Sequence, residues 1–231
     1  MKIQQLFWCI LAIIIVGCTT STNDPAFIKK TTGRYLFNSD ELIEVYFENQ
    51  KLFLKWRGAS SIEPLRVGEK TFFVKEMNEK IQFLTNPKDQ ITYISLVPKT
   101  KNDTLQYNYR KLAQDEKIPS EHLKENNFEK ALEGYLKIKK IDSLDASIKE
   151  NNFNRLGYQK LRNKDYTKAL AIFKINMELY PTSSNVYDSY ADALKVSGDT
   201  LEAIKYYKKS LTLDSGNKGA KNFIKKYDTI K

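Results

Sequence analysis

The sequence predicts an α+β protein: an N-terminal antiparallel β-barrel or sandwich of about eight strands, followed by a C-terminal array of α-helical repeats. Three observations predict it. From about residue 27 to residue 111, apolar residues alternate with charged ones at a period of two, the pattern of half-buried antiparallel strands. After Leu112, a phrase centred on alanine recurs at Ala131, Ala169 and Ala203, with separations of 38 (131 to 169) and 34 (169 to 203). Ahead of both lies an uninterrupted apolar run of eleven residues, Leu6 to Val16, bounded by Lys2 and by Gly17-Cys18.

Composition narrows the function classes. The 231 residues include one histidine, His122, and two cysteines, Cys9 and Cys18. A Ser-His-Asp arrangement has only His122 to draw on, and a zinc site of the usual His and Cys ligands cannot be assembled. A lone histidine with no second ligand reads as structural or solvated. The chain is read as a non-enzymatic protein with no cofactor and no metal. Apolar residues at 41% and aromatics at 12% exclude a disordered chain.

Residues 1–17 read as a signal peptide, because the apolar run is of signal length and short for a membrane span. Its end, Ile15-Val16-Gly17-Cys18, resembles the lipobox of bacterial lipoproteins. That resemblance implies cleavage before Cys18, lipidation of Cys18 and attachment to a membrane through that lipid. The alternatives are an ordinary secretory signal or an uncleaved anchor. Residues 18–26 carry no apolar pattern and read as a tether. Thr19 stands where an aspartate retains some lipoproteins at the inner membrane, so the expected location is the cell envelope, with the outer membrane favoured over the inner.

Within residues 27–111, Leu52, Leu54 and Trp56 alternate with Lys51, Lys55 and Arg57, and Ile81 and Phe83 alternate with Lys80 and Gln82. Leu105, Tyr107 and Tyr109 are expected to form a last strand. Turn residues at 48–50, 68–69, 86–89 and 101–103 punctuate the strands. Gly33-Arg34-Tyr35, the hairpin ending in Leu52-Phe53-Leu54, Pro64-Leu65 before Phe72-Phe73, and Ile81-Gln82-Phe83 follow in an order that resembles a known β-domain. It is the lipocalin-like domain that follows the catalytic domain of beta-lactamase-related serine hydrolases. The segment holds no Ser-x-x-Lys motif, so the resemblance carries no catalysis. It implies a small barrel that is either filled by Trp56, Phe72, Phe83, Tyr93 and Tyr109 or holds a small molecule or glycan.

Residues 112–231 carry the repeats. Phe153, Leu156, Gly157, Ala169, Phe173 and Pro181 in one unit, and Tyr187, Ala191, Leu194, Ala203 and Tyr207 in the next, give the chain a resemblance to tetratricopeptide repeats, whose period is 34. Residues 163–165 and 197–199 read as the turns between paired helices. The unit around Ala131 is degenerate: Pro119 limits its first helix, and its longer spacing implies about four inserted residues near 143–148. Residues 218–227 read as a capping helix that buries Ala220, Phe223, Ile224 and Tyr227.

The resemblance implies a concave groove for a protein or peptide, lined by the first helix of each pair. By position this gives Asn154, Tyr158, Leu161 and Arg162 in one unit and Asn185, Asp188, Asp192 and Lys195 in the next. The alternative is that these residues form a solvated helix face, on which charge reversal at Asp188 or Asp192 leaves folding nearly unchanged. Chaperone-binding members hold a carboxylate with a Lys and Asn clamp, and Asp188 and Asp192 occupy the corresponding face here.

The net charge of +10 is spread along the chain rather than gathered. A nucleic-acid reader requires a concentrated, arginine-rich patch, so no nucleic-acid partner is expected. The sequence therefore reads as a membrane-anchored envelope lipoprotein that binds an envelope protein or peptide through its repeats. The alternatives are a small-molecule or glycan carrier or sensor built on the β-domain, or an accessory to a separately encoded hydrolase.

Overall fold

The computed structural model describes residues 23–228, so the expected signal peptide and Cys18 lie outside the described residues. The fold begins earlier than the tether reading allows. Asp24 accepts the Phe27 amide at 2.8 Å and Pro25 takes the first helical position, which starts α1 (Pro25–Thr31). The helix delivers Phe27 into the sheet, where its ring meets Phe83 at 5.6 Å and Phe47 at 6.1 Å. Residues 23–26 thus belong to the folded part.

Nine strands follow: β1 (Gly33–Asn38), β2 (Glu41–Glu48), β3 (Lys51–Trp56), β4 (Ala59–Ile62), β5 (Leu65–Arg66), β6 (Thr71–Val74), β7 (Glu79–Thr85), β8 (Thr92–Leu96) and β9 (Tyr109–Lys111). They form one antiparallel sheet in the order β4-β3-β2-β1-β9-β8-β7-β6-β5. The count exceeds the expected eight by the two-residue β5. No ladder joins β4 to β5, so the sheet curls without closing. Buried Pro64, which has no N–H to give, lies between those two strands. Asn23 bridges the seam: its side-chain amide donates to the Gln50 carbonyl at 2.8 Å, and its side-chain oxygen accepts from Arg66.

The period-two pattern sets which face is buried. Tyr35, Ile43, Leu54, Val74, Ile81 and Ile94 face inward, and register pairs Val45 with Leu54, Phe72 with Ile81 and Phe83 with Ile94. With Phe27 added, aromatic side chains fill the curl. Two expectations are corrected. Tyr93 belongs to the outer face, because its neighbour Ile94 takes the inner one; its hydroxyl donates to Asp89 at 2.8 Å. Residues 104–108 are not a strand, and Leu105 is exposed. There β8 is satisfied differently: the Leu96 amide donates to the Asn108 side chain at 2.8 Å, and the Ser95 hydroxyl to the Gln106 carbonyl.

The helices are α2 (Pro119–Lys124), α3 (Phe128–Ile141), α4 (Glu150–Arg162), α5 (Tyr166–Leu179), α6 (Ser184–Ser197), α7 (Thr200–Leu213) and α8 (Lys218–Asp228). They stack as pairs α2/α3, α4/α5 and α6/α7, and α8 lies against α7. One turn is used three times. A residue in the left-handed region (Asn126, Lys164 or Gly198) precedes an N-cap (Asn127, Asp165 or Asp199) whose side chain accepts an amide at 3.2–3.3 Å. Ala131, Ala169 and Ala203 are fully buried where paired helices meet. Gly157 is required for the same closeness: a Cβ there would lie 2.6 Å from the Phe173 ring. Among the described residues no helix is long and apolar enough to cross a membrane.

Candidate functional site

The two regular units bring most of the sequence-predicted residues together, but they turn them toward one another. Asp192 is the hub. Its carboxylate accepts from the Tyr158 hydroxyl on α4 at 3.0 Å, from the Lys195 ammonium on α6 at 2.5 Å, and from the Tyr207 hydroxyl on α7. Burial raises the Asp192 pKa, yet the hydrogen bonds from Lys195, Tyr207 and Tyr158 outweigh it and hold the carboxyl below its ordinary value. Asp188 is pushed up by burial and by the neighbouring Asp192 charge, against the hydrogen bond it accepts from Asn217 at the start of α8.

This network ties α4, α6, α7 and α8 together, so Asp188 and Asp192 are not a merely solvated face. Charge reversal at Asp192 would break hydrogen bonds from Tyr158, Lys195 and Tyr207, which argues against the expectation that it leaves folding nearly unchanged. Asn154 accepts from Asn176 at 3.4 Å, and Asn185 donates to Glu150 at 2.9 Å. Leu161 packs with Ala169, Phe173 and Ala193. Arg162 alone of the set is exposed without a hydrogen bond or ion pair among the described residues. Cys18 lies outside those residues.

The irregular first unit is built differently. Pro119 begins α2, which is only six residues long, against thirteen in α4 and fourteen in α6. The first turns of a full-length helix are missing. The chain from 112 to 118 instead runs along the sheet: the Leu112 amide donates to the Arg34 carbonyl at 2.8 Å. α6 packs against α4, but α2 stands off from α4. A cavity of about 360 Å³ lies in the gap. Its apolar wall is Leu123 from α2, Tyr135 from α3, Phe153 and Leu156 from α4, and Ile172 from α5. Lys124, Lys160 and Lys168 also line it. The inserted connection supplies a further wall through Ser147, in the short 3₁₀ turn at Ala146–Ile148.

The β1–β2 turn closes one end of this cavity. Asp40 accepts the Ser120 amide at 2.7 Å and the Tyr135 hydroxyl at 3.0 Å. Burial pushes its carboxyl up to about 6, against those hydrogen bonds and the Lys124 charge, which lower it. Ser39 donates to Asp145, Arg34 donates to the Glu116 carbonyl at 3.0 Å, and Arg34 pairs with Glu121. The sheet is therefore fastened to the first repeat by polar contacts around its shortest helix.

Asp40, Lys124, Lys160 and Lys168 were not singled out by sequence reasoning. The signals that mark their meeting place are Pro119 and the 38-residue spacing, both legible as irregularity but not as a cavity. Asn152, Arg155, Leu156, Gln159 and Arg162 of α4 line an adjoining depression, which shares Asn152 and Leu156 with the cavity.

No family model matches the chain, and no curated protein matches it. Among solved structures, the chain is similar to the first tetratricopeptide domain of Spaghetti (RPAP3) bound to the HSP90 peptide SRMEEVD. That match has 19% identity and a TM-score of 0.34, and covers 48% of this chain and 86% of that one. It is similar to the Arabidopsis OM64 tetratricopeptide domain at 17% identity and a TM-score of 0.34, covering 49% of this chain and 90% of that one. A mutant form of MamA matches at 18% identity and a TM-score of 0.37, covering 48% of this chain and 80% of that one.

Proposed function

We propose that this chain is a protein-interaction module of the bacterial cell envelope, in which the helical array binds a protein or peptide and the lipidated N-terminus holds it at a membrane. The observation that carries the binding reading is the uncovered face of α4. Because α2 is short and stands off, Arg155, Gln159 and Arg162 line an open depression that a preceding full-length helix would border. Two guanidinium groups without an ion pair among the described residues, set in such a recess, suit a partner segment rich in carboxylates. The β-domain positions this face, since its β1–β2 turn fixes α2.

A photo-crosslinking residue at Gln159 tests the reading against the same residue at Lys174, which is exposed on α5. A defined partner crosslinked from 159 and not from 174, and lost in Arg155→Glu/Arg162→Glu while thermal unfolding is unchanged, supports it. Equal crosslinking from both positions, or no effect of the charge reversal, refutes it. The anchoring part has its own test. Cys18→Ser releases the protein from the membrane fraction or blocks its processing, and unchanged processing and attachment refute the lipid anchor.

A further inference from the structure

We propose that the cavity between α2 and α4 is a binding site for a small amphipathic anion, a molecule with a medium-length alkyl or single-ring aryl body and one carboxylate. The cavity adjoins the depression of the groove reading and shares Asn152 and Leu156 with it, but the proposal rests on other residues, Lys124, Lys160, Lys168 and the apolar wall, so its failure and that of the groove reading are read from different variants.

Shape and chemistry both point there. A cavity of about 360 Å³ lies at the lower end of the roughly 300–1,000 Å³ that small-molecule sites occupy. It is walled by Leu123, Phe153, Leu156 and Ile172, of which Leu123, Phe153 and Ile172 are buried. Those walls favour an apolar body. The charges at the cavity have one dominant sign. Lys124, Lys160 and Lys168 contribute three ammonium groups, and among the described residues none of them forms an ion pair. Lys168 donates once, to the Lys124 carbonyl at 3.4 Å, and an ammonium has three donors.

The one carboxylate present does not satisfy them. Asp40 directs one oxygen to the Ser120 amide and the other to the Tyr135 hydroxyl. An incoming carboxylate therefore meets a surplus of cations beside an apolar wall, and its chain takes up the space left by the missing turns of α2. A neutral apolar molecule would gain only the wall, and a short hydrophilic anion only the lysines.

Octanoate and 1-octanol are the probes, titrated into the full chain by calorimetry at fixed ionic strength. The expected result is saturable one-site binding of octanoate, with 1-octanol at least tenfold weaker. Lys160→Met/Lys168→Met keeps the apolar stems and removes two charges; it weakens octanoate at least tenfold while thermal unfolding stays near the parent's. Should that pair not fold, Lys124→Gln, an exposed single change, weakens octanoate several-fold. Absence of saturable octanoate binding to the parent overturns the proposal. Equal affinity for 1-octanol, or lysine variants that bind octanoate as the parent does, overturns it as well.

Discussion

The first and second repeat units share one plan and differ in how far they complete it. In α4/α5, Gly157 admits Phe173, the Tyr158 ring meets Phe173 at 5.0 Å, and α6 covers the far side. The contact between α4, α5 and α6 is closed, and only the α4 side that faces α2 is left open. In α2/α3 the same turn and the same buried alanine recur, but Pro119 stands where Gly157 stands in the next unit. A proline at that point cannot have a helical turn before it, so the helix starts there and a cavity takes the place of the missing turns. The regular unit uses its polar side chains to hold neighbours together. Where the irregular one meets it, Lys124 of α2, Lys160 of α4 and Lys168 of α5 stand without an ion pair among the described residues around an apolar wall. In a stacked array each repeat contacts only its neighbours, so a unit next to a different domain is where such a departure is tolerated.

The largest effect that sharpens this contrast is expected at the two glycines that allow close helix approach, one in each unit. Gly157→Ala places a Cβ 2.6 Å from the fully buried Phe173 ring, and overpacking of this kind costs about 3 kcal/mol. Gly134→Ala meets Pro119 at the same 2.6 Å. There α2 is short and unsupported on the α4 side, so it shifts, and the loss is about 1 kcal/mol. Urea denaturation of the two variants measures both. Equal losses would mean that the first unit is as tightly packed as the second.

Next comes the Asp192 hub. Asp192→Lys takes the carboxylate acceptor from the Tyr158 and Tyr207 hydroxyls, leaving them only Ser189 and Lys195, and sets a cation beside Lys195, costing about 2 kcal/mol in the same assay. Arg162→Glu, on the exposed end of α4, changes stability by less than about 0.5 kcal/mol. A harmless Asp192→Lys would return that residue to the solvated face.

Asp40 gives an effect of at most comparable size, with a pH signature. Its carboxyl is raised from 3.8 to about 6 in the folded protein, so the folded state binds more protons than the unfolded one between those values. Stability then falls as pH rises from about 4 to about 6 and is level above. Asp40→Asn removes this dependence. Relative to that variant, the parent loses up to about 2 kcal/mol between pH 4 and pH 7.5, after allowance for solvent screening at a half-buried site. Parallel pH profiles of parent and variant would show that Asp40 is not held in a desolvated position.

What can be read in the sequence follows from how local each determinant is. The strand pattern puts Leu52, Leu54, Ile81 and Phe83 on the buried face because side-chain direction alternates with every residue. The repeats are legible because Ala169 and Ala203, Gly157 and the aromatic positions obey a spacing. Asp24-Pro25 is equally local, an N-cap followed by proline, but Phe27 behind it is needed to show that the segment is folded rather than tether. The strand expected at 105–109 does not extend because Asn108 supplies a side-chain acceptor where the ladder would have continued. Tyr158, Asp192, Lys195 and Tyr207 each carry a helix position that spacing can assign. Their mutual hydrogen bonds come from three helices, and no spacing within one helix announces them. The cavity is the least visible. Asp40 and Lys168 are 128 residues apart (40 to 168) and meet only through the docking of the β1–β2 turn.

The contrast between the two units is tested most directly by methyl-resolved NMR of the full chain during an octanoate titration. Leu123, Leu156 and Ile172 line the cavity in the first unit's gap, whereas Leu170, Leu194 and Leu211 pack within the regular units. The account predicts saturable shifts at the first three and unmoved signals at the other three. Shifts of equal size at Leu170, Leu194 or Leu211, or none at Leu156 and Ile172, would contradict it.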